Sequence, residues 1–197
     1  MIEVTRADAL GEPFRRRVAE VLVSGFADDF ASFSRDETTL TDVFAPMLIL
    51  ERFHVARVDG EPAGVATLTS PGEQIFAPSA SDIRRHLGLV RGTVTHQIIR
   101  TQFMRPRPPD FPTEIGFVAT APAHQGRGVA TALLRHLLAL PGHREFVLED
   151  IKDTNEPALS LYRKLGFAEY RRRRVRFAGR AGFTHYVSMK RVTGRSC

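Results

Sequence analysis

A short glycine-rich segment, Gln125-Gly126-Arg127-Gly128-Val129-Ala130, has the residue types best suited to holding a ligand through its backbone. Two glycines let the chain turn tightly and approach a bound group closely. A helix-like run follows, and the first N–H groups of a helix lack intrahelical partners and favour an anion. The segment has neither the Gly-Lys-Ser/Thr of a P-loop nor the G-x-G-x-x-G spacing of a dinucleotide fold. Alone, it indicates either a pyrophosphate site or an ordinary strand-to-helix turn.

A second segment, residues 153–167, has the pattern of a short capped helix. Thr154 or Asn155 is expected to supply the N-cap, because short polar side chains accept hydrogen bonds from the first free N–H groups. Ala158 and Tyr162 are four residues apart and therefore share one helical face. The segment thus places a phenol at a fixed position on a helix that follows the glycine-rich segment by one predicted strand.

Together the two segments resemble the Gcn5-related N-acetyltransferase (GNAT) superfamily, whose members bind acetyl-CoA. The first matches the family's Q/R-x-x-G-x-G/A motif, which begins here at Gln125. The second matches its N-x-x-A-x-x-x-Y-x-x-x-G-F motif, which begins at Asn155 and ends at Phe167. The motifs cover about residues 113–170, and the order of the other predicted strands agrees with the family.

The resemblance implies that acetyl-CoA is the co-substrate and that its pyrophosphate lies at the start of the helix. Backbone groups of Val118 and Thr120 would pair with the pantetheine arm as an added strand, between two strands that splay apart. The cofactor-binding residues implied in this way are Val118, Thr120, Gln125, Gly126, Arg127, Gly128, Val129, Ala130, Thr131 and Asn155.

The reaction implied by the resemblance is direct transfer of an acetyl group to a primary amine of a small molecule or protein. Tyr162 is the predicted acid, because a phenol of ordinary pKa about 10 suits a thiolate leaving group. Glu114 is the predicted base: it lies eleven residues before Gln125, where histone-acetylating members carry theirs. The N–H of Val118 is the predicted oxyanion donor. The alternatives are a packed core tyrosine, an exposed glutamate and a water chain as base.

Strands and helices alternate in the second half of the chain. Strands are predicted over residues 1–5, 53–58, 63–68, 113–120, 145–151, 167–177 and 182–190, and helices over 14–24, 40–50, 127–140 and 156–165. Pro46 is expected to kink the second of these helices or to stop it early. The second and third strands are predicted to form a hairpin, and Glu61-Pro62 is expected to make its loop slightly longer. Two further helical pieces are predicted within residues 70–112.

These elements predict an α/β (α+β) fold. The resemblance makes it a mixed, mostly antiparallel central sheet of six to seven strands flanked by helices, with a splayed strand pair at the acetyl-CoA site. Residues 1–197 are expected to form a single N-acetyltransferase domain with a helical insertion at about 70–112. A homodimer is left open, as is the identity of the amine acceptor.

Composition excludes several classes of function. Of the 197 residues, 43% are hydrophobic and 25% charged, as in a soluble globular protein. No apolar run approaches the roughly eighteen residues of a membrane span, and the N-terminus has no signal pattern, so we expect a cytoplasmic protein and no membrane partner. The single cysteine, Cys197, and scattered histidines predict no metal site.

The net charge of +6 raises the alternative of a nucleic-acid partner. Much of the excess lies in Arg171–Arg174 and Arg176. Aromatic residues that stack on bases are not interleaved there, which favours a solvated strand at a sheet edge. We therefore expect no nucleic-acid partner. A tRNA-directed acetyltransferase and a non-catalytic CoA-binding regulatory module stay as alternatives.

Several acidic residues of the N-terminal third lie at positions where members of the family form one wall of the acceptor-binding site. They would attract a cationic amine, and surface solvation explains them equally well. The residues concerned are Asp28, Asp29, Asp36, Glu37 and Asp42.

Overall fold

A computed structural model of the protein describes residues 1–104, 106–175 and 182–193. Arg176, Cys197 and the last part of the strand predicted over 167–177 lie outside these ranges. Within them one seven-stranded sheet has the order β1-β2-β3-β4-β5-β7-β6. Its strands are β1 (Ile2–Arg6), β2 (Phe53–Val58), β3 (Glu61–Thr69), β4 (Thr113–Thr120), β5 (Glu145–Lys152), β6 (Ala168–Arg174) and β7 (His185–Val192).

All neighbouring strands are antiparallel except β4 and β5, which are parallel. The helices are α1 (Arg15–Gly25), α2 (Ala27–Phe30), α3 (Glu37–Phe44), α4 (Ala80–Leu87), α5 (Leu89–Gln102), α6 (Val129–Leu138) and α7 (Glu156–Lys164). Helices α1 to α5 contribute to one apolar core, and α6 and α7 to a second. Because side chains alternate along each strand, the sheet serves both cores. The predicted mixed, mostly antiparallel sheet flanked by helices is confirmed.

Helix α3 differs from the prediction of a helix over 40–50. It starts earlier because the Asp36 carboxylate accepts hydrogen bonds from the N–H groups of Thr38 and Thr39, which makes Asp36 the N-cap. It stops at Phe44 because Pro46 lacks the N–H that a continued helix needs. The cap residue, rather than the apolar spacing, decides where this helix begins.

The hairpin between β2 and β3 is tighter than expected. Asp59 and Gly60 both have positive φ, 53° and 89°, which is the backbone of a two-residue type I′ turn. Glu61 already pairs with Val58, so the prediction of a longer loop was wrong. Pro62 is accommodated because the strand register shifts beside it.

The predicted pair of helices between residues 70 and 112 is confirmed as α4 and α5. Gly88, with φ 76°, separates them, whereas Gly92 lies inside α5. A Cβ at Gly92 would lie 2.6 Å from the Cα of Arg84, so glycine lets the two helices touch. Ile83 and Ile99 are buried in the same core as α1 and α3. The hairpin is therefore packed onto the sheet rather than attached beside it.

None of the helices in the described part of the chain has the length and apolar character that crossing a membrane requires.

His54 of β2 is a buried titratable group in the fold. Its side chain is 6% exposed and its ring lies 5.4 Å from that of His136 in α6. Its Nδ1 has no hydrogen-bond partner among the described residues. Burial, and then the nearby charges of His136 and Arg6, lower the pKa of His54 to about 4, against a smaller opposite effect of Asp8.

We predict that His54 makes the fold acid-sensitive. The unfolded chain, with a histidine pKa of about 6.5, takes up this proton first, so stability is complete above about pH 6.5 and falls as the pH drops towards 4. The loss from this group alone is about 3 kcal/mol. It is measured as the difference in unfolding free energy between the wild type and His54→Gln across that range. His86→Gln, at an exposed histidine of α4, is the control and should follow the wild type.

Candidate active site

Strands β4 and β5 part soon after they begin. They pair only at Thr113 with Phe146 and at Glu114 with Val147. Beyond this point a left-handed residue interrupts each strand: Phe117 has φ 45° and Asp150 has φ 51°. The registers of β3–β4 and β5–β7 shift at the same places, as β-bulges do. The backbone edge of β4 that follows Glu114 consequently has no strand partner towards β5 in the described ranges.

The left-handed conformation of Phe117 is maintained by aromatic packing. Its ring lies 5.2 Å from Phe26, 5.5 Å from Phe76 and 5.6 Å from Phe103. These rings come from the segment after α1, from the segment before α4 and from the end of α5. A non-glycine residue with positive φ costs about 1–3 kcal/mol, and it persists where the surroundings determine it. Three rings from three segments supply that constraint.

The glycine-rich segment forms a left-handed turn into α6. Gly126 and Gly128 have φ 72° and 82°, and Gly128 is the N-cap of the helix. A Cβ at either glycine would meet nothing within 4 Å, so backbone conformation rather than packing requires glycine there. Val129 is buried, whereas Gln125 and Arg127 are exposed. The free N–H groups of the first turn of α6 therefore start at an open loop.

The start of α6 lies close against the sheet. A Cβ at Gly64 of β3 would lie 2.5 Å from Cγ1 of Val129 and 3.1 Å from Cδ1 of Leu133. Gly64 also pairs with Thr120, the last residue of β4. The absent side chain at Gly64 thus fixes the distance between the glycine-rich loop and the end of β4.

A cleft of about 450 Å³ opens beside the parted strands. It lies between the segment after α1, strands β4 and β5, and the start of α7. Lining residues include Gly25, Asp28, Asp29, Val118, Lys152 and Asn155. The Nζ of Lys152 lies 2.8 Å from a carboxylate oxygen of Asp29. Among the predicted cofactor residues, Val118 and Asn155 therefore share one cleft.

The two motif residues of α7 have different environments. Asn155 is the N-cap, because its side-chain oxygen accepts a 3.3 Å hydrogen bond from the N–H of Ala158. Tyr162 is buried with its ring against Phe167, and burial raises its pKa well above the usual range. The raised pKa favours the neutral phenol and makes Tyr162 a weaker acid than an exposed tyrosine.

Glu114 is also withdrawn from solvent, with a side chain 22% exposed. Burial raises its pKa. Arg107 opposes that effect, and the charges of Glu149 and Asp150 add to it. The Nη2 of Arg107 lies 2.7 Å from the Oε2 of Glu114. The exposed strand start that was the alternative for Glu114 is therefore not what the structure has.

Two carboxylates that the sequence did not single out lie near Glu114. Glu149, only 4% exposed, accepts hydrogen bonds from the Tyr170 hydroxyl and from Arg171. Asp150 accepts a 3.0 Å hydrogen bond from Arg173. Two consecutive acidic residues after the apolar run of β5 were the signal that could have indicated them.

The arginine run lies on β6, at the edge of the sheet, as predicted. Arg171 and Arg173 reach across β7 to the carboxylates of β5, and Arg172 pairs with Glu169 at 2.8 Å. Three of the four arginines are thus engaged by carboxylates of the same chain.

The predicted acidic wall is only partly assembled. Asp28 and Asp29 line the cleft. Asp36 instead caps α3, with Glu37 in its first turn, and Asp42 pairs with Arg16. Asp36, Glu37 and Asp42 therefore stabilise helix α3 and its contact with α1, and they do not line the cleft.

The candidate site consists of the left-handed glycine turn, the unpaired edge of β4 and the adjoining cleft, whose lining residues include neither Glu114 nor Tyr162. No group of three histidine, aspartate or glutamate side chains that could hold a metal ion occurs in residues 1–104, 106–175 and 182–193. Such a site suits a ligand with a phosphate group and an extended, amide-bearing arm that can pair with β4.

Comparison with known proteins agrees with this geometry. Residues 22–167, more than half of the chain, match the description "Acetyltransferase (GNAT) family". The chain is 38% identical over 90 residues to "N-alpha-acetyltransferase RimI" of Mycobacterium tuberculosis. That match covers 45% of this chain and 54% of the relative, so the chain spans only about half of the relative's length.

Solved structures share the fold. One, described as histone acetyltransferase HPA2 and related acetyltransferase from Corynebacterium glutamicum, has a TM-score of 0.63 at 22% identity and covers 100% of this chain and 99% of its own. An N-acetyltransferase from Staphylococcus aureus Mu50 has a TM-score of 0.65 at 19% identity, covering 96% of this chain and 100% of its own. At these identities the likeness concerns the fold alone.

We predict that Gly64→Ala destabilises the fold by roughly 1–3 kcal/mol, because its methyl group overpacks the start of α6. Val129→Ala in the same chain removes the nearest of the atoms that this methyl group would meet. The double variant should therefore lose less stability than the sum of the two single variants, as measured by chemical denaturation. Strict additivity would contradict the close contact.

Proposed function

Because the chain belongs to the acetyltransferase (GNAT) family, we propose that it is an acetyl-CoA-dependent N-acetyltransferase that transfers an acetyl group directly to a primary amine. The observation that carries this proposal is the parting of β4 and β5 beside the left-handed glycine turn at the start of α6. The turn suits a pyrophosphate and the open strand edge suits the amides of a pantetheine arm. The open edge begins after Glu114, and the glycine turn follows the end of β4 at Thr120.

The proposed cofactor contacts follow this geometry. The open space in front of Gly126 and Gly128 would admit the pyrophosphate, which the N–H groups from Gly126 to Ala130 and the hydroxyl of Thr131 would hold. Val118 and Thr120 would pair with the arm through their backbone groups. Asn155, which lines the same cleft, would approach the arm from the side of α7.

The proposed chemistry needs three groups of this chain. Glu114 takes a proton from the acceptor's ammonium group, which leaves a nucleophilic amine. The N–H of Val118, beside the bulge at Phe117, stabilises the oxyanion that forms when the amine attacks the thioester carbonyl. Tyr162 then donates its proton to the leaving thiolate.

The acceptor class proposed first is the free amino terminus of a protein or peptide, because the relative with 38% identity is described as an N-alpha-acetyltransferase. Small primary amines are the second class. Asp28, an exposed carboxylate on the cleft, would attract either ammonium group. We further propose that residues 1–197 act as one cytoplasmic domain, with the α4–α5 hairpin as its insertion.

A nucleic-acid partner is less favoured by the charges of β6. Arg171, Arg172 and Arg173 are engaged by Glu149, Glu169 and Asp150. A phosphate backbone would have to compete with these carboxylates. A purely regulatory CoA-binding module would bind the cofactor without releasing its thiol, and a thiol-release assay distinguishes it from an enzyme.

We predict that Gly128→Glu weakens acetyl-CoA binding by roughly a hundredfold in calorimetry, because like charges brought together cost several kcal/mol. Gly142→Glu is the matched control. Gly142 also has positive φ, 88°, and open space around its Cβ position, but it lies beyond the far end of α6. It should bind acetyl-CoA as the wild type does. Equal effects of both variants, or no binding by the wild type, would refute the cofactor site.

We predict that Tyr162→Phe lowers turnover by roughly a hundredfold or more while acetyl-CoA affinity stays the same, since only the donated proton is lost. Turnover is followed by thiol release with an unblocked peptide, and affinity by calorimetry. Tyr186→Phe, which removes a hydroxyl from β7, is the control. An unchanged rate for Tyr162→Phe would remove the tyrosine from the mechanism.

A further inference from the structure

A proline-rich strap joins α5 to β4 and carries Arg107 to the site. The strap, residues 106–112, contains four prolines, which restrict its backbone. The guanidinium of Arg107 lies 4.5 Å from the centre of the Phe111 ring, within the same strap. The Arg107 side chain is 33% exposed. Strap and ring together fix where this cation lies.

Arg107 hydrogen-bonds one carboxylate oxygen of Glu114 and makes no hydrogen bond to the other. Its Nε donates a 3.0 Å hydrogen bond to Oε2, and its Nη2 lies 2.7 Å from the same atom. Among the described residues Arg107 alone hydrogen-bonds the Glu114 side chain, so Oε1 keeps its lone pairs free. At Glu149, by contrast, Tyr170 occupies Oε1 and Arg171 occupies Oε2. Of the two buried carboxylates, Glu114 is the one with an oxygen available for a proton.

We propose that Arg107 is a positioning residue that clamps Oε2 of Glu114, holds the side chain as a carboxylate and leaves Oε1 to receive the acceptor's proton. This inference rests on the proposed role of Glu114 as the base. Arg107 itself touches neither the acceptor nor the acetyl group. It acts through the charge and orientation of Glu114.

The surroundings of Glu114 explain why it needs such a partner. Burial and the carboxylates of Glu149 and Asp150 all favour its protonated form. On the far side, Arg171 and Tyr170 of β6 bind Glu149, and Arg173 binds Asp150. In the described part of the chain, Arg107 is the cation in direct contact with Glu114. Without it, burial and two neighbouring carboxylates would remain, and the pKa of Glu114 would rise further.

The proton balance of the proposed reaction explains why the contact between Arg107 and Glu114 matters. One proton moves from the acceptor's ammonium nitrogen to Oε1, and the freed lone pair forms the new C–N bond. The C–S bond breaks, and the thiolate receives the proton of Tyr162. The acylated nitrogen then loses its second proton, which restores the Tyr162 phenol and leaves a neutral amide. A Glu114 already protonated before the acceptor arrives has no place for the first proton, so activity requires its carboxylate form.

The test measures the pKa of Glu114 directly in the free protein. The carboxyl ¹³C resonance of Glu114 is assigned by its loss in Glu114→Gln and then titrated by NMR. In Arg107→Met the midpoint should rise by roughly one pH unit or more. Arg107→Gln, which is also neutral but keeps a donor group, should show a rise as well. Arg107→Lys should restore part of the shift, because lysine keeps the charge but not the two-point contact.

Arg100→Met is the matched control, since it removes an exposed arginine of α5 and should leave the titration unchanged. Circular dichroism verifies that each variant is folded. If either Arg107→Met or Arg107→Gln does not fold, the other neutral variant supplies the measurement. A Glu114 midpoint that stays in place or falls when Arg107 is neutral would overturn the inference, whatever the enzyme's acceptor proves to be.

A kinetic measurement separates this inference from the proposed function. The pH dependence of kcat is recorded with saturating acetyl-CoA and an unblocked peptide. Glu114→Gln should lose the acidic limb of the pH profile, and in Arg107→Met that limb should shift to higher pH. This outcome supports both the base assignment and the inference about Arg107. If Glu114→Gln keeps the limb, the base assignment fails. If Glu114→Gln removes the limb and Arg107→Met leaves it in place, the clamp fails while the base stands.

Discussion

The structure depends on one interruption of its sheet. Strands β4 and β5 share two residue pairs and then separate, which leaves strong hydrogen-bonding groups of the backbone along an open edge. Two left-handed residues, Phe117 and Asp150, hold the strands in this separated course. Phe117 is packed against neighbouring rings, and the side chain of Asp150 pairs with Arg173. The cleft is therefore an outcome of packing and ion pairing rather than of the strands' own preferences.

Charge at this opening is balanced by cations from several parts of the chain. Glu114, Glu149 and Asp150 are countered by arginines from the strap and from β6. Burial alone would neutralise carboxylates by protonation. At Glu114 the charge of Arg107 opposes that protonation. Among the described residues, Glu149 has a hydrogen-bond partner on each carboxylate oxygen, whereas Glu114 has partners on Oε2 alone.

Local features could be predicted from the sequence and long-range contacts could not. The left-handed glycines, the start of α6 and the cap at Asn155 depend on residues within one turn of each other, and the pattern indicated them. The edge position of the arginine run followed from charge on both faces of a strand. The partners of Arg107, Arg171 and Arg173 depend on which strands become neighbours. The tight turn at Asp59 and the early start of α3 each depended on a single residue's backbone or cap preference.

The α4–α5 hairpin is not a detachable module. It adjoins β4 at two points, since Phe103 at its end packs on Phe117 and the strap that follows carries Arg107 to Glu114. One point sets the course of the strand and the other adjoins its carboxylate. Transplanting a hairpin from another domain of this fold would therefore exchange more than an outer ornament. It would change the ring that packs on Phe117 and the cation that pairs with Glu114.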